Sequence, residues 1–161
     1  GFDYFFGYAN QHHAHNYYPD FLLRGETQVK LRNQVAPGSA DNPVAKRFGV
    51  GYASEKVEYS HDLLAAEGLK WVEQHKDRPF FLYFAFTAPH ANNEANRDLK
   101  NGQEVPDFGS YADKEWSAPN KGQAAMISRM DRDIGRLFEL LKRLGLDEDR
   151  KSTRLNSSHR T

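Results

Sequence analysis

The 161-residue sequence predicts an α/β fold whose sheet is incomplete. A helical apolar pattern at residues 60–76 runs directly into a continuous apolar and aromatic segment at residues 80–86, and such a pair is half of an α/β unit. A second helical pattern at residues 121–144 is followed by no further apolar segment. The sequence therefore contains the helices of an α/β domain but fewer strands than such a domain needs.

Residues 1–56 are predicted to form ordered loops and short extended pieces. The first 21 residues hold eight aromatic side chains without helical spacing. Residues 25–56 are polar and rich in glycine and proline, which favours surface loops and a short hairpin.

The two helices are predicted from apolar residues that recur at three- and four-residue spacing. Ser60 is the expected N-cap of the first helix, and Asp62 suits the positive end of its dipole. Gly145 is the expected C′ residue of the second helix. The charge run at residues 129–136 is predicted to be a solvated face of this helix.

Residues 80–86, between two prolines, are predicted to be a strand buried on both faces, as parallel strands between helix layers are. Residues 87–120 are predicted to be irregular, and a loop of that length is often functional. The final residues, 149–161, are basic and match the translation of a common sequencing adapter, so we interpret them as a non-native tail. The alternative is a natural basic tail.

The composition excludes several classes of protein. With 22 basic and 22 acidic residues the formal net charge is zero, which gives no sign of a nucleic-acid partner. No apolar run is long enough to span a membrane. The absence of cysteine excludes disulfides and a thiol nucleophile within these residues.

The first candidate catalytic residue is His90, which directly follows the predicted strand. In open α/β sheets, ligands bind beyond the carboxyl ends of strands, and an imidazole there can contact an anion or transfer a proton. Asn92 and Asn93 are candidate substrate contacts beside it, and Glu94 is a further candidate polar contact. The alternative is a histidine that only makes hydrogen bonds within a loop.

A second candidate site lies at residues 12–16, where His13 and His15 alternate beside aromatic residues. Imidazole and amide donors next to aromatic faces suit sugar rings, so both histidines are candidate substrate contacts. A metal site is the weaker alternative, because no third ligand follows at a recognisable spacing. We therefore assign no metal ligand in this chain.

Three segments together resemble the sulfatase family, in the arylsulfatase-like branch of the alkaline-phosphatase-like superfamily. They are residues 1–8 (GFDYFFGY), residues 79–90 (PFFLYFAFTAPH) and residues 121–146, which contain the family's Met-Asp, Gly-Arg and Leu-Gly-Leu motifs in order. The similarity covers residues 1–148. It implies that this region is the central part of a sulfatase catalytic domain, and that the chain is an internal fragment of a longer enzyme.

The resemblance implies a partial α/β/α sandwich of the alkaline-phosphatase-like type and hydrolysis of a sulfate ester, foremost that of a carbohydrate. It implies a formylglycine nucleophile and a calcium ion in the full-length parent, and a sulfated small molecule or glycan as partner. His90 matches the family histidine that contacts the sulfate and assists the leaving oxygen. Family members are often periplasmic, secreted or lysosomal, although the sequence itself predicts no compartment.

The nucleophile motif and the metal ligands of the family have no counterpart in this sequence. We therefore expect the chain alone to bind neither cofactor and to be inactive. Two alternatives remain open: a phosphoester or phosphonate hydrolase of the same superfamily, and an inactive binding or structural fragment.

Overall fold

The structure is a computed structural model that describes residues 1–40 and 48–147. The basic tail at residues 149–161 lies outside the described residues, so its interpretation as translated adapter stays a prediction. The described part combines α-helices with two small β-sheets, which agrees with the predicted mixed α/β class. Its strands are β1 (Phe6–Gly7), β2 (Phe21–Arg24), β3 (Thr27–Lys30), β4 (Gln34–Val35) and β5 (Ala53–Glu55), and its α-helices are α1 (Ser60–Gln74), α2 (Asn93–Leu99) and α3 (Ala118–Arg143).

All strand pairs of the described residues are antiparallel. Strands β1, β2 and β3 form one sheet in that order, and β4 pairs with β5. The β2–β3 hairpin turns at Gly25, whose φ of +59° lies in the left-handed region that glycine enters without steric cost. The β4–β5 pair lies within residues 25–56, where the sequence predicts a short hairpin, but residues 36–52 separate the two strands, so this pair is not a short hairpin.

Helices α1 and α3 pack against each other through charged groups as well as apolar ones. Arg129 donates two hydrogen bonds to the carboxylate of Asp62, at 2.7 and 2.9 Å. His61 lies 3.2 Å from the carboxylate of Asp133, and both side chains are 1% exposed. The expectation that residues 129–136 form a solvated face is therefore wrong for Asp133, because this side chain is buried against His61 of the neighbouring helix.

The main core cluster joins the N-terminal loops to α3 and to the turn after residue 87. Its members are Tyr17, Tyr18, Ala53, Tyr59, Ala88 and Met126. Burial of each large side chain contributes roughly 1.5–3 kcal/mol. Since Ala88 belongs to this cluster, the core fixes the chain two residues before His90.

The observed ends of α1 and α3 agree only in part with the predicted ends. Ser60 is the first helical residue rather than the N-cap, because its hydroxyl donates to the carbonyl of Tyr17 at 2.8 Å. Helix α3 begins three residues earlier than predicted: Ser117 is its N-cap, and a proline is tolerated in the first turn, where its missing N–H costs nothing. Gly145 takes a φ of +67° after α3, as predicted for a C′ residue.

Residues 80–86 are not a strand in the described structure, so the prediction of a strand buried on both faces is wrong there. The segment is apolar enough for a sheet interior, but no neighbouring strand among the described residues supplies a hydrogen-bond ladder. Its residues alternate between half-buried and exposed, with Phe81 74% and Tyr83 62% exposed. On the half-buried side Phe80 contacts Trp71 of α1 edge-on, at 5.2 Å between ring centroids.

Helix α2 lies inside the region that the sequence predicts to be irregular. Its N-cap is Asn92, whose side-chain oxygen accepts from the N–H groups of Glu94 and Ala95, both at 3.1 Å. The helix ends at Lys100, which adopts the left-handed conformation. This short helix sets the position of the residues that follow His90.

Candidate functional site

His90 lies at the end of a tight turn that is anchored to the core. Its N–H donates to the carbonyl of Thr87 at 2.9 Å, and the peptide bond between Ala88 and Pro89 is cis. The hydroxyl of the fully buried Tyr17 donates to the carbonyl of His90 at 2.7 Å. Burial raises the pKa of Tyr17, so this phenol stays protonated and keeps its donor. Because residues 80–86 form no strand, this anchored turn is what positions His90.

The imidazole of His90 is exposed and has one nitrogen available. Nδ1 lies 2.6 Å from the carbonyl oxygen of Ala91. A carbonyl only accepts hydrogen bonds, so Nδ1 carries a proton. Among the described residues Nε2 has no hydrogen-bond partner, and it is therefore free to accept a proton when neutral or to donate to an anion when protonated.

His15 stacks on His90 and also contacts the carboxylate of Glu94. The two imidazole rings are 5.4 Å apart between centroids and 5° from parallel. Nδ1 of His15 lies 3.2 Å from the carboxylate of Glu94, which is 4% exposed. The amide of Asn93 lies 3.5 Å from Nε2 of His15. We call these four residues, His15, His90, Asn93 and Glu94, the imidazole cluster.

Local structure explains how distant residues meet in the imidazole cluster. His15 is the last residue of a 3-10 helix, His13–His15, and Glu94 lies in the first turn of α2. The N-cap of α2, Asn92, donates from its amide to the carbonyl of Gly51 at 2.9 Å and to Glu104 at 2.7 Å. Asn92 is fully buried and has used its donors and its acceptor, so its chemistry is that of a cap.

The structure places His13 in the interior, away from the imidazole cluster. Its side chain is fully buried. Nδ1 accepts from the N–H of Ala9 at 3.0 Å, so Nε2 carries the proton and donates to the carbonyl of Phe21 at 3.1 Å. Burial lowers the pKa of His13 to about 4. A neutral imidazole with both nitrogens in hydrogen bonds has none left for a substrate. Asn92 is likewise fully hydrogen-bonded, so the functional proposal includes neither His13 nor Asn92.

The cluster thus contains three of the predicted site residues, His90, His15 and Asn93, and adds Glu94. The sequence predicts Glu94 only as a further polar contact beside His90, and nothing in its spacing shows that it faces His15 across 79 positions. His12 is also close, with its ring 5.8 Å from that of His15 between centroids. What the cluster offers chemically is an exposed imidazole nitrogen beside a buried imidazole–carboxylate pair.

The described residues do not fit a metal site. Within residues 1–40 and 48–147, no group of three or more histidine, aspartate or glutamate side chains could hold a metal ion. The whole sequence contains no cysteine, and none of its serines begins the Ser-x-Pro-x-Arg pattern in which the family resemblance implies a formylglycine precursor. We also find no helix in the described part of the chain that is long and apolar enough to cross a membrane.

Comparison with known proteins identifies the family. A search of curated proteins finds no match to the chain. The family model described as Sulfatase matches residues 1–150. That range includes all three segments on which the resemblance depends and the whole imidazole cluster. Because the match covers nearly the entire sequence, the chain belongs to the sulfatase family, whose members are hydrolases of sulfate esters.

Proposed function

We propose that the chain contributes the sulfate-contacting imidazole of a sulfatase site, and that this imidazole is His90. The observation that carries the proposal is the state of its two nitrogens: Nδ1 bonds the carbonyl of Ala91, while Nε2, on an exposed ring, has no hydrogen-bond partner within residues 1–40 and 48–147. An anchored backbone with one free donor is what an anion contact requires. The natural substrate that we propose is a sulfate ester of a carbohydrate.

The chemistry of the proposed step depends on charge that develops at oxygen. When a sulfate ester is cleaved, negative charge builds up on the leaving oxygen. A protonated His90 donates from Nε2 to that oxygen or to a sulfate oxygen, and such a fixed donor stabilises the transition state more than the ground state. General acid catalysis of this kind contributes roughly 10²–10⁴-fold to a rate.

The nucleophile and the metal ion of the family are expected to come from outside the described residues. A formylglycine supplies the attacking oxygen in this family, and calcium supplies positive charge near the sulfate. Because the described residues do not fit the metal and the sequence lacks the nucleophile motif of the family, we derive no step through either group. We propose that the 161-residue chain binds sulfate weakly but does not turn over sulfate esters.

Calorimetric titration of the purified chain with inorganic sulfate tests the proposal, at about pH 6, where histidines take up protons. We expect saturable binding that His90→Gln weakens about tenfold or more, the loss typical of a hydrogen bond to a charged group. His75→Gln is the matched control, because His75 also forms a hydrogen bond to a backbone carbonyl through Nδ1 and stacks on an aromatic ring, that of Trp71. It lies away from the imidazole cluster, at the C-cap of α1.

Equal loss of affinity in both variants, or no loss in His90→Gln, contradicts the proposal. Inorganic phosphate, titrated in the same way, addresses the phosphoester alternative. Binding of phosphate that is at least tenfold tighter than that of sulfate favours a phosphoester or phosphonate hydrolase.

A further inference from the structure

We propose that Glu94 is a positioning residue: it holds His15 in one tautomer and one plane, and His15 in turn fixes the plane of His90. The inference rests on the proposed function, because it concerns how the sulfate-contacting ring is held. It assigns a role to a buried carboxylate that contacts neither the proposed substrate nor His90 itself.

The backbone of Glu94 is well fixed. Its N–H donates to the side-chain oxygen of the N-cap Asn92, which is itself fully buried and bonded to Gly51 and Glu104. Being in the first turn of α2, the carboxylate is favoured by the positive end of the helix. The side chain is buried, so burying this charged group needs a polar partner. The partner is Nδ1 of His15, at 3.2 Å.

The Glu94 contact determines which nitrogen of His15 carries the proton. A carboxylate accepts hydrogen bonds, so Nδ1 of His15 is the donor. The neutral ring then has its lone pair at Nε2, where the amide of Asn93 lies 3.5 Å away. A carboxylate that fixes the tautomer and orientation of an imidazole is a recurring device in proteins. The Glu94 contact is the shorter of the two side-chain hydrogen bonds of His15, so we infer that it is the main determinant of the tautomer and ring plane.

The plane of His15 matters because His90 lies against it. The rings are 5° from parallel, and His90 is otherwise exposed on the surface. An exposed side chain loses rotamer entropy when it binds a ligand. A fixed surface on one side removes some rotamers in advance, which lowers that cost and keeps Nε2 in a defined direction.

A purely structural role for Glu94, as a favourable charge at the helix start, predicts different behaviour. It predicts that Glu94→Ala changes the stability of α2 but leaves the His15 tautomer as it is. The two roles are therefore distinguished by the protonated nitrogen of His15, which nitrogen-15 NMR reads directly from the chemical shifts of the ring nitrogens.

The experiment uses the full chain, labelled with nitrogen-15, above about pH 8, where histidines are generally neutral. In the wild type we expect the proton of His15 on Nδ1. In Glu94→Ala we expect it on Nε2, the nitrogen that free histidine favours, and we expect the affinity for inorganic sulfate at about pH 6 to fall about threefold to tenfold. Asp98→Ala, at the other end of α2, is the control and should change neither.

Several results would overturn the inference. One is a wild-type His15 protonated at Nε2, which decides the matter even if the variant fails to fold. Another is a Glu94→Ala protein that keeps the Nδ1 proton or loses no more sulfate affinity than Asp98→Ala does. If the wild type binds no sulfate while the tautomer changes as expected, the proposed function fails and the positioning role of Glu94 stands.

Discussion

The buried imidazole of His13 makes the stability of the chain depend on pH. In the folded chain its pKa is lowered to about 4, because burial disfavours the imidazolium and Nδ1 is occupied by the N–H of Ala9. In the unfolded chain we take the pKa of a free histidine, about 6.5. Between these values the unfolded state binds more protons, so the stability contributed by the neutral ring falls as the pH decreases from about 6.5 to about 4.

The size of this effect follows from the two pKa values. A difference of about 2.5 units corresponds to about 3 kcal/mol, at about 1.4 kcal/mol for each unit. Titrating carboxylates also change stability in acid, so the informative quantity is the difference between the wild type and His13→Gln. Glutamine keeps a donor for Phe21 but does not titrate. We expect the variant to be less stable at about pH 7, and we expect that deficit to shrink by about 3 kcal/mol at about pH 4.

Urea unfolding, followed by tryptophan fluorescence at a series of pH values, measures this difference. His75→Gln is the control, because it replaces a histidine that is only half-buried at the end of α1, whereas His13 is fully buried. A deficit for His13→Gln that stays constant from neutral to acidic pH would refute the reasoning. It would mean that folding does not lower the pKa of His13.

Three further predictions concern packing, buried charge and activity. Gly122→Ala should destabilise the chain by about 1–3 kcal/mol, since a Cβ there would lie 2.6 Å from the carbonyl oxygen of Gln103. Gly135→Ala, which places its Cβ in open space, should stabilise α3 by about 0.5–1 kcal/mol, and thermal unfolding compares the two variants. Asp133→Ala should lower the free energy of unfolding by about 2–3 kcal/mol, because it removes the carboxylate that accepts a hydrogen bond from the buried His61. A change below about 0.5 kcal/mol in urea unfolding would contradict this. The chain alone should release no phenol from a chromogenic aryl sulfate, and turnover that His90→Gln abolishes would show that the chain contains a complete site.

The sequence predicts the two long helices well because each has a continuous apolar face. Helix α2 has no such face: it is short and polar, and it forms because Asn92 caps it and tertiary contacts hold the cap. The segment at residues 80–86 shows the converse limit. Its apolar run predicts a strand buried on both faces, but a strand needs a partner, and the run itself does not specify one.

The candidate site could be predicted at the level of residue type but not of individual roles. His13 and His15 are two positions apart, and the 3-10 helix that contains both sends one ring into the core and the other to His90. Asn92 and Asn93 differ in the same way: the side chain of Asn92 caps α2, whereas that of Asn93 lies beside His15. Such differences depend on contacts with residues far away in the sequence.

The central claim is that Nε2 of His90 contacts sulfate. Its most direct test is nitrogen-15 NMR of the ring during titration with inorganic sulfate at about pH 6. We predict that the Nε2 signal of His90 shifts saturably while Nδ1, tied to Ala91, shifts little, and that the ring of His75 does not respond. A signal of His90 that stays unchanged while sulfate binds elsewhere on the chain would contradict the claim.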